Sequence, residues 1–424
     1  MKASVLLIVS VLLITSCLTI RTAFAGEENL TIPADDEHVV LMGRWYPDSR
    51  GTMRGGFECG LALRFRGTGI RLSGRASGTA LIAIDGGEPV QKTLKYDMVL
   101  AEGLETGEHL LELYAAYQIA LPVITGFSID AGGEFLPASE DGKRKIIEFV
   151  GDSIMEGYVD PKDARDGVFN SYSLSYAFLT GRELFREYGM SFSTIAYGGM
   201  RVIAPGDNAS SGNDPLGMPE RYFLNREYNS DGNSERAVRA AGEWDAGVYA
   251  PDYIVLNLGT NDVTGGNVFI NTYAAFLKKL RETYPEVTLF VMTPFNGNMS
   301  SGVRSAVEAA NDPKAILIDT SSWGIKGGAD GLHPDPAAHE RVSELLLDML
   351  KTYITAAEES TAPPEETAPP TAEEVTSAQN TPEQSGDNNK SGSSVLLPLA
   401  ISGGILVAAA LAGVLIFASG KKKS

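Results

Sequence analysis

The chain has 424 residues, long enough for two domains with extensions, and carries 54 acidic against 35 basic side chains, a formal net charge of −19. Binding to nucleic acid needs a basic face toward the phosphates, so this balance argues against a nucleic-acid partner. Residues 1–25 read as a secretory signal: Lys2 gives the positive start, residues 5–14 the apolar stretch, and Ala23-Phe24-Ala25 the small-x-small cleavage site. A competing reading takes Ile14-Thr15-Ser16-Cys17 as a lipoprotein box with Cys17 acylated. Cleavage after Ala25 would leave Cys59 as the single cysteine, with no internal disulfide, and its strand-like surroundings mark it as a buried thiol.

Residues 30–140 read as all-β. Short runs with partial alternation recur at 61–65, 70–74, 80–85 and 109–114, separated by turn signals such as Arg66-Gly67-Thr68-Gly69 and Asp85-Gly86-Gly87. That spacing predicts a β-sandwich of jelly-roll type. From 143 to 356 the pattern changes. Apolar strands are expected at 146–150, 192–196, 253–258, 287–292 and 315–318, with helices at 176–188, 269–284, 302–310 and 337–354. Doubly buried strands joined by helices predict a three-layer α/β domain with a parallel sheet. The polar stretch 204–243, rich in Gly, Asn and Asp, is expected to shape a cleft.

Residues 357–393 are Thr, Pro, Glu, Ser and Asn with almost no large apolar side chains, a composition that cannot bury a core and predicts an extended acidic linker. Residues 395–418 form an uncharged apolar run, and about 20 such residues span a bilayer. Lys421-Lys422-Lys423 follow it, which predicts a transmembrane helix, a short cytoplasmic tail at 419–424 and an extracellular folded part.

Chemistry concentrates where strands end. Ile146 to Val150 leads straight into Gly151-Asp152-Ser153, so a buried strand delivers a serine to the edge of a sheet. A serine hydroxyl is a poor nucleophile without an adjacent base. Of four histidines, His38, His109, His333 and His339, only His333 stands in an Asp-x-x-His stretch, Asp330-Gly331-Leu332-His333-Pro334, near the end of the folded part. The order Ser…Asp…His suggests a serine hydrolase. Tyr197-Gly198-Gly199 and Gly259-Thr260-Asn261-Asp262 also follow strands directly, which is where sites of open α/β sheets lie. Each residue has a duller reading: Ser153 as a helix cap, Asn261 and Asp262 as turn formers, His333 as a loop histidine. Holding all of these at once is the harder requirement. His339, six residues after His333, reads as a helix-surface residue, with Asp335 and Pro336 as the cap and first turn. No metal motif or phosphate loop stands out, and no cofactor is implied.

These four blocks, in this order, resemble those of the SGNH (GDSL) hydrolases over residues 143–356. The resemblance implies Ser153 as nucleophile, His333 as general base and then general acid, and Asp330 orienting the imidazole. It also implies an oxyanion hole from the Ser153 N–H, a glycine N–H and the Asn261 side chain, with Gly199 favoured over Gly198 for the glycine. A β domain ahead of such a unit, with Gly43-Arg44-Trp45 and the stretch 65–70, resembles the family 2 carbohydrate esterases of acetyl xylan esterase type. In that family the triad acid is sometimes absent. The implied activity is removal of acetyl groups from acetylated polysaccharide such as xylan or glucomannan. Trp323, Tyr158 and Trp244 are aromatic candidates for a sugar cleft, and Trp323, ten residues before His333, is the substrate-binding choice; a core tryptophan is its alternative. Another SGNH esterase or lipase, such as a peptidoglycan O-acetyl esterase, and a non-catalytic glycan-binding surface protein are the competing function classes.

Overall fold

Period-two alternation builds the N-terminal half of the fold, and doubly buried strands build the C-terminal half. The computed structural model describes residues 29–138, 144–205, 215–225 and 242–361, with side chains as far as 355. The expected signal, the span 395–418, the tail 419–424 and nearly all of the linker lie outside the described residues, as does most of the 204–243 insertion. Among the described residues no helix is long and apolar enough to cross a membrane.

The first half runs from β1 (Leu30–Pro33) to β10 (Glu134–Leu136). Its strands are hydrogen-bonded into one ten-stranded antiparallel sheet, curled as a half-barrel, rather than into the two sheets of the expected sandwich. The cause is two long strands. β5 (Gly60–Ser77) runs through the Arg66–Gly69 stretch that reads as a turn, and β8 (Val99–Ala115) pairs with it along most of its length. The register slips between Gly67 and Gly69, so the glycines make a bulge and a bend, not a reversal. β5 thereby pairs β2 (Val39–Met42) and β10 before the bend and β9 (Val123–Ile129) after it. Leu61, Leu63, Phe65, Leu72, Leu111, Leu113 and Phe127 form its core, with Cys59 buried among them and in no disulfide.

The second half is a five-stranded parallel sheet in the order β12-β11-β13-β14-β15: β11 (Ile146–Asp152), β12 (Ser191–Tyr197), β13 (Tyr253–Asn257), β14 (Thr288–Met292) and β15 (Ala315–Ile318). Alternate side chains of these strands enter two apolar clusters. Phe149, Val255 and Phe290 pack with α2 (Tyr176–Tyr188) and with Val342, Leu346, Leu350 and Ile354 of α6 (Pro336–Thr361). Val150, Leu256 and Val291 pack with α4 (Gly266–Thr283) and α5 (Ser300–Ala310). Each fully buried Leu or Ile here contributes about 1.5–3 kcal/mol. The two smaller helices are α1 (Ser153–Glu156) and α3 (Met218–Arg221).

His339 corrects its surface reading. Asp335 does cap α6, accepting the Ala338 N–H at 2.8 Å, but His339 one turn later is fully buried. Its ring stacks on Tyr176 of α2 at 5.9 Å, and its Nδ1 accepts the Tyr176 N–H at 3.3 Å. The helix face that carries Val342 and Leu346 also carries residue 339, and the three-residue spacing shows it once α6 is known to face the sheet. Burial, with a smaller contribution from nearby His333, lowers the His339 pKa to about 3.

Two buried arginines join the halves. Arg182 of α2 meets Glu112 of β8 at 3.0 Å, with Tyr114 Oη donating to the same carboxylate at 2.9 Å. Arg44, in the Gly43-Arg44-Trp45 turn, is 1% exposed, donates to the Tyr222 carbonyl at 2.7 Å, and lies over the rings of Phe57, Tyr222 and Trp244. Gly43 is required beside it: its φ is +77°, and a Cβ would come within 2.8 Å of the Ser193 Cβ on β12. Trp244, half-buried, takes part in this junction, under Arg44 and edge-on to Tyr46.

Removing Glu112 leaves Arg182 buried without its partner, so Glu112→Ala is expected to lower unfolding free energy by about 3–5 kcal/mol, whereas Glu112→Leu with Arg182→Met recovers most of it. Urea unfolding of the three proteins decides this, and an equal loss in single and double variants goes against it. His339 predicts an acid-side effect. Its folded pKa lies below its unfolded value near 6.5, so the unfolded chain binds the extra proton and stability falls as pH drops from about 6.5 toward 3, by up to about 1.4 kcal/mol per unit. His339→Gln should flatten the melting temperature between pH 6.5 and 4; parallel curves would contradict the assignment.

Candidate active site

The register of the parallel sheet brings the motif loops to one edge. Asp152 at the end of β11 is level with Tyr197 at the end of β12, and Val150 is level with Leu256 of β13. Ser153, Gly198 and Gly259 therefore leave three adjacent strands side by side. Ser153 opens the short α1. Asp152 caps it, its Oδ1 accepting the Ile154 N–H at 3.1 Å, and Gly157 ends it in the left-handed region at φ 88°. Gly151 lets this elbow close, because a Cβ there would lie 2.7 Å from the Met155 side chain.

Ser153 Oγ and His333 Nε2 are 2.9 Å apart. His333 Nδ1 and Asp330 Oδ2 are 2.5 Å apart, and Asp330 Oδ1 accepts the N–H groups of Leu332 and His333 at 2.8 and 2.9 Å. Burial works to raise the Asp330 pKa, but these hydrogen bonds and the His333 imidazole outweigh it and leave the carboxyl below its ordinary value. Asp330 thus stays ionised against the ring. The Ser–His–Asp chain expected from the sequence is present as a connected set of contacts.

Asn261 lies on the same edge, its amide donating to the Met200 carbonyl at 3.0 Å and to Asp152 Oδ2 at 3.4 Å. Asp262 is buried and accepts the Val202 and Ile203 N–H groups at 3.0 and 2.8 Å, which fastens the loop after β12 to the loop after β13. Gly199 sits in the first of these loops at φ +73°, next to a turn closed by the Met200 N–H on the Tyr197 carbonyl. Asp152 is enclosed under the site, and burial pushes its pKa up to about 6, against the Ile154 N–H and the Thr260 hydroxyl.

Asn298, which no motif marks, holds the loop after β13 from outside. Its Nδ2 faces the carbonyls of Gly259, Thr260 and Asp262 at 2.9, 3.1 and 2.8 Å. The signal was the Asn-rich loop after β14, Phe295-Asn296-Gly297-Asn298, on the same sheet edge as the other blocks. Tyr158 stands edge-on to the His333 ring at 4.5 Å, with Phe169, 41% exposed, 6.5 Å beyond. Trp323 follows β15 on the same edge. It is half-buried and packs on Phe295 at 6.3 Å, which in turn meets Tyr176 edge-on at 5.8 Å.

Residues 149–341 match the model of the GDSL-like Lipase/Acylhydrolase family. The chain is 28% identical over 355 residues to the cellulase/esterase CelE of Acetivibrio thermocellus, covering 77% of this chain and 41% of that protein. It is 25% identical over 347 residues to an acetylxylan esterase / glucomannan deacetylase of Cellvibrio japonicus, covering 76% of this chain and 90% of the relative. Thus it spans less than half of the first relative and nearly all of the second. Among solved structures, the fold is similar to a family two carbohydrate esterase from Cellvibrio japonicus (TM-score 0.61, 21% identity, 77% of this chain and 98% of that one). It is also similar to one from Clostridium thermocellum in complex with cellohexaose (TM-score 0.59, 24% identity, 75% and 99%). The family match covers the parallel α/β half of this chain, the half in which Ser153, Asp330 and His333 meet.

Proposed function

We propose that the protein is a carboxylic ester hydrolase that removes O-acetyl groups from polysaccharides of xylan or glucomannan type. The observation that carries the reaction class is the 2.9 Å contact between Ser153 Oγ and His333 Nε2, backed by Asp330 at 2.5 Å. The polysaccharide substrate is supported by the similarity to the Cellvibrio japonicus acetylxylan esterase / glucomannan deacetylase, which spans both halves of the chain.

In this reading His333 Nε2 takes the Ser153 proton as Oγ attacks the acetyl carbonyl carbon. The resulting oxyanion is held by the Ser153 N–H, the Gly199 N–H and the Asn261 amide. Asn261 has one N–H engaged at Met200 and a long 3.4 Å contact to Asp152, so the second N–H is the one free to turn to the substrate. Each such donor stabilises the transition state by ~2.7–4 kcal/mol. The C–O bond to the sugar then breaks, His333 returns the proton to the leaving alcohol, and water activated by the same imidazole releases acetate from Ser153. Asp330, ionised, stabilises the imidazolium in both halves.

The sugar rests on aromatic faces beside the imidazole. Tyr158 and the exposed Phe169 form one wall, and Trp323 is proposed as a further contact from the β15 side. The division of the sheet's side chains between α2/α6 and α4/α5 supports reading this domain as three-layered. Cell-surface location, with a cleaved signal at 1–25 and an anchor at 395–418, rests on the sequence.

Acetate release from acetylated xylan, glucomannan and peptidoglycan tests the substrate. Turnover is expected on the first two; turnover confined to peptidoglycan would move the reading to a peptidoglycan O-acetyl esterase. Ser153→Ala and His333→Ala should each lower kcat on p-nitrophenyl acetate by at least 1,000-fold (order of magnitude from triad removals), with circular dichroism like the wild type. Equal turnover in wild type and His333→Ala would overturn the triad.

A further inference from the structure

Asp330 and His333 ride on a stretch with little stiffness of its own. Gly327, Gly328 and Gly331 lie among them, the last at φ +76°. Besides the bonds of Asp330 to Leu332 and His333, the backbone bonds within the stretch are the Gly328 N–H to the His333 carbonyl, 2.7 Å, and the Gly331 N–H to the Gly328 carbonyl, 3.0 Å. All of these fix the shape of the loop and none fixes its distance from Ser153. The Ser153–His333 hydrogen bond is worth about 0.5–1.5 kcal/mol, about what ordering one residue costs, so it does not hold the loop by itself.

The restraint comes from the chain that follows the nucleophile. Beyond Gly157 it makes a single 3-10 turn at Pro161–Asp163, reverses at Asp166 and Gly167 (φ 53° and 77°), and returns beside itself. The Val159 N–H bonds the Phe169 carbonyl at 2.9 Å, and Arg165 and Val168 exchange bonds of 3.2 and 2.9 Å, so this is a closed hairpin. From it Asp163 Oδ2 accepts the Ala329 N–H at 2.6 Å, across 166 positions of sequence. The carboxylate also abuts Gly328, where a Cβ would lie 2.2 Å from the same oxygen. Ala329 immediately precedes Asp330. The local task of capping the 3-10 turn belongs to a different residue, Asp160, which accepts the Lys162 N–H at 2.8 Å.

We propose that Asp163 is a positioning residue for the acid–base pair, its carboxylate clamping Ala329 so that the Asp330–His333 loop stays within reach of Ser153. The inference rests on the esterase reading for its rate effect, though the clamp itself does not. Asp330 and His333 are bonded to each other within the loop, so loosening the clamp moves them together. The fraction of molecules with His333 in place drops, and turnover drops with that fraction. A small acetyl ester is still bound, because Asp163 does not touch it.

The test compares the full chain with Asp163→Ala, Asp163→Asn and Arg165→Ala on p-nitrophenyl acetate. Asp163→Ala should lower kcat about tenfold with KM within twofold, and Asp163→Asn, whose amide oxygen can accept the same N–H, should restore kcat to within threefold of wild type. Arg165→Ala breaks the exposed contact to Glu340 from the same hairpin and serves as the control for general loosening. A kcat for Asp163→Ala within twofold of wild type, or equal losses in the Ala and Asn variants, overturns the proposal. A second measurement stands apart from activity: the downfield imidazole N–H resonance of the Asp330–His333 pair, assigned by its loss in His333→Ala. It should broaden in Asp163→Ala and persist in Asp163→Asn. If the wild type turned over no ester at all, the esterase reading would fail, and this resonance alone would decide the clamp: an unchanged signal in Asp163→Ala refutes it.

Discussion

The site depends on one contact made across 180 residues of sequence, that of Ser153 with His333. A parallel sheet solves most of that problem through its topology. The strand order β12-β11-β13 puts the serine elbow between the loops bearing Gly199 and Asn261, so three of the four blocks are neighbours as soon as the strands pair. The fourth is different. The His333 loop follows β15, at the far edge of the sheet, with β13 and β14 between it and the serine. It must cross back over the carboxyl ends of those strands, and sheet pairing alone does not bring it there. The extra supports on this side follow from that geometry. α6 packs on α2, His339 is buried on Tyr176, and the hairpin after Ser153 meets the loop from the other direction.

The antiparallel half stiffens the opposite side of the sheet. Glu148 is buried on β11, four residues before Asp152, and burial raises its pKa against the Arg44 charge and the hydroxyls of Tyr222 and Ser193. Arg44 comes from the other half. A carboxylate enclosed on the strand that delivers the nucleophile is therefore tempered by a guanidinium that only the β half supplies. Glu58, also from that half, pairs its backbone with Thr194 of β12, and burial, together with the nearby Glu156 carboxyl, raises its pKa to about 8. The shift favours the neutral form of Glu58, which eases the approach of its carboxyl to that of Glu156 in α1. The two halves share their electrostatics as well as their packing, and the pairing makes a rigid bed for the elbow.

Much of this was legible in the chain because the α/β half is locally consistent. The strands at 146–150, 192–196 and 315–318 lie within or match those observed, since short runs rich in apolar and β-branched residues, bounded by Gly-Asp-Ser, Gly-Gly or Asp-Thr, leave few alternatives. The triad was legible because Asp330 and His333 sit together. What was missed needed the third dimension. Arg66-Gly67-Thr68-Gly69 has the composition of a turn, and only the pairing of β5 with β8 makes it a bulge. His339 looks solvent-facing beside Asp335 and Glu340 until α2 is placed across it. Asn298 and Asp163 act through backbone atoms of distant loops, and a backbone acceptor or donor has no residue type to recognise. The contact of Trp244 with Arg44 was equally hidden, since the two are 200 positions apart.

The placement of acid and base on one short loop changes what the rest of the fold has to do. Asp330 meets His333 within three residues, through the ring and through the His333 N–H, so their mutual geometry is set locally. In triads whose acid lies on a separate element, tertiary packing must fix two distances. Here it must fix one, between a preassembled pair and a serine. That makes the pair robust to strain in the sheet, and makes the approach of the loop to Ser153 the variable through which distant structure reaches the chemistry. The supports that set this approach, α6 with His339, Tyr158 against the ring and Asp163 on Ala329, carry none of the reacting atoms, yet each acts on the same coordinate. A site organised this way concentrates its sensitivity in backbone hydrogen bonds and helix packing, which is where motif-based reading has the least to say.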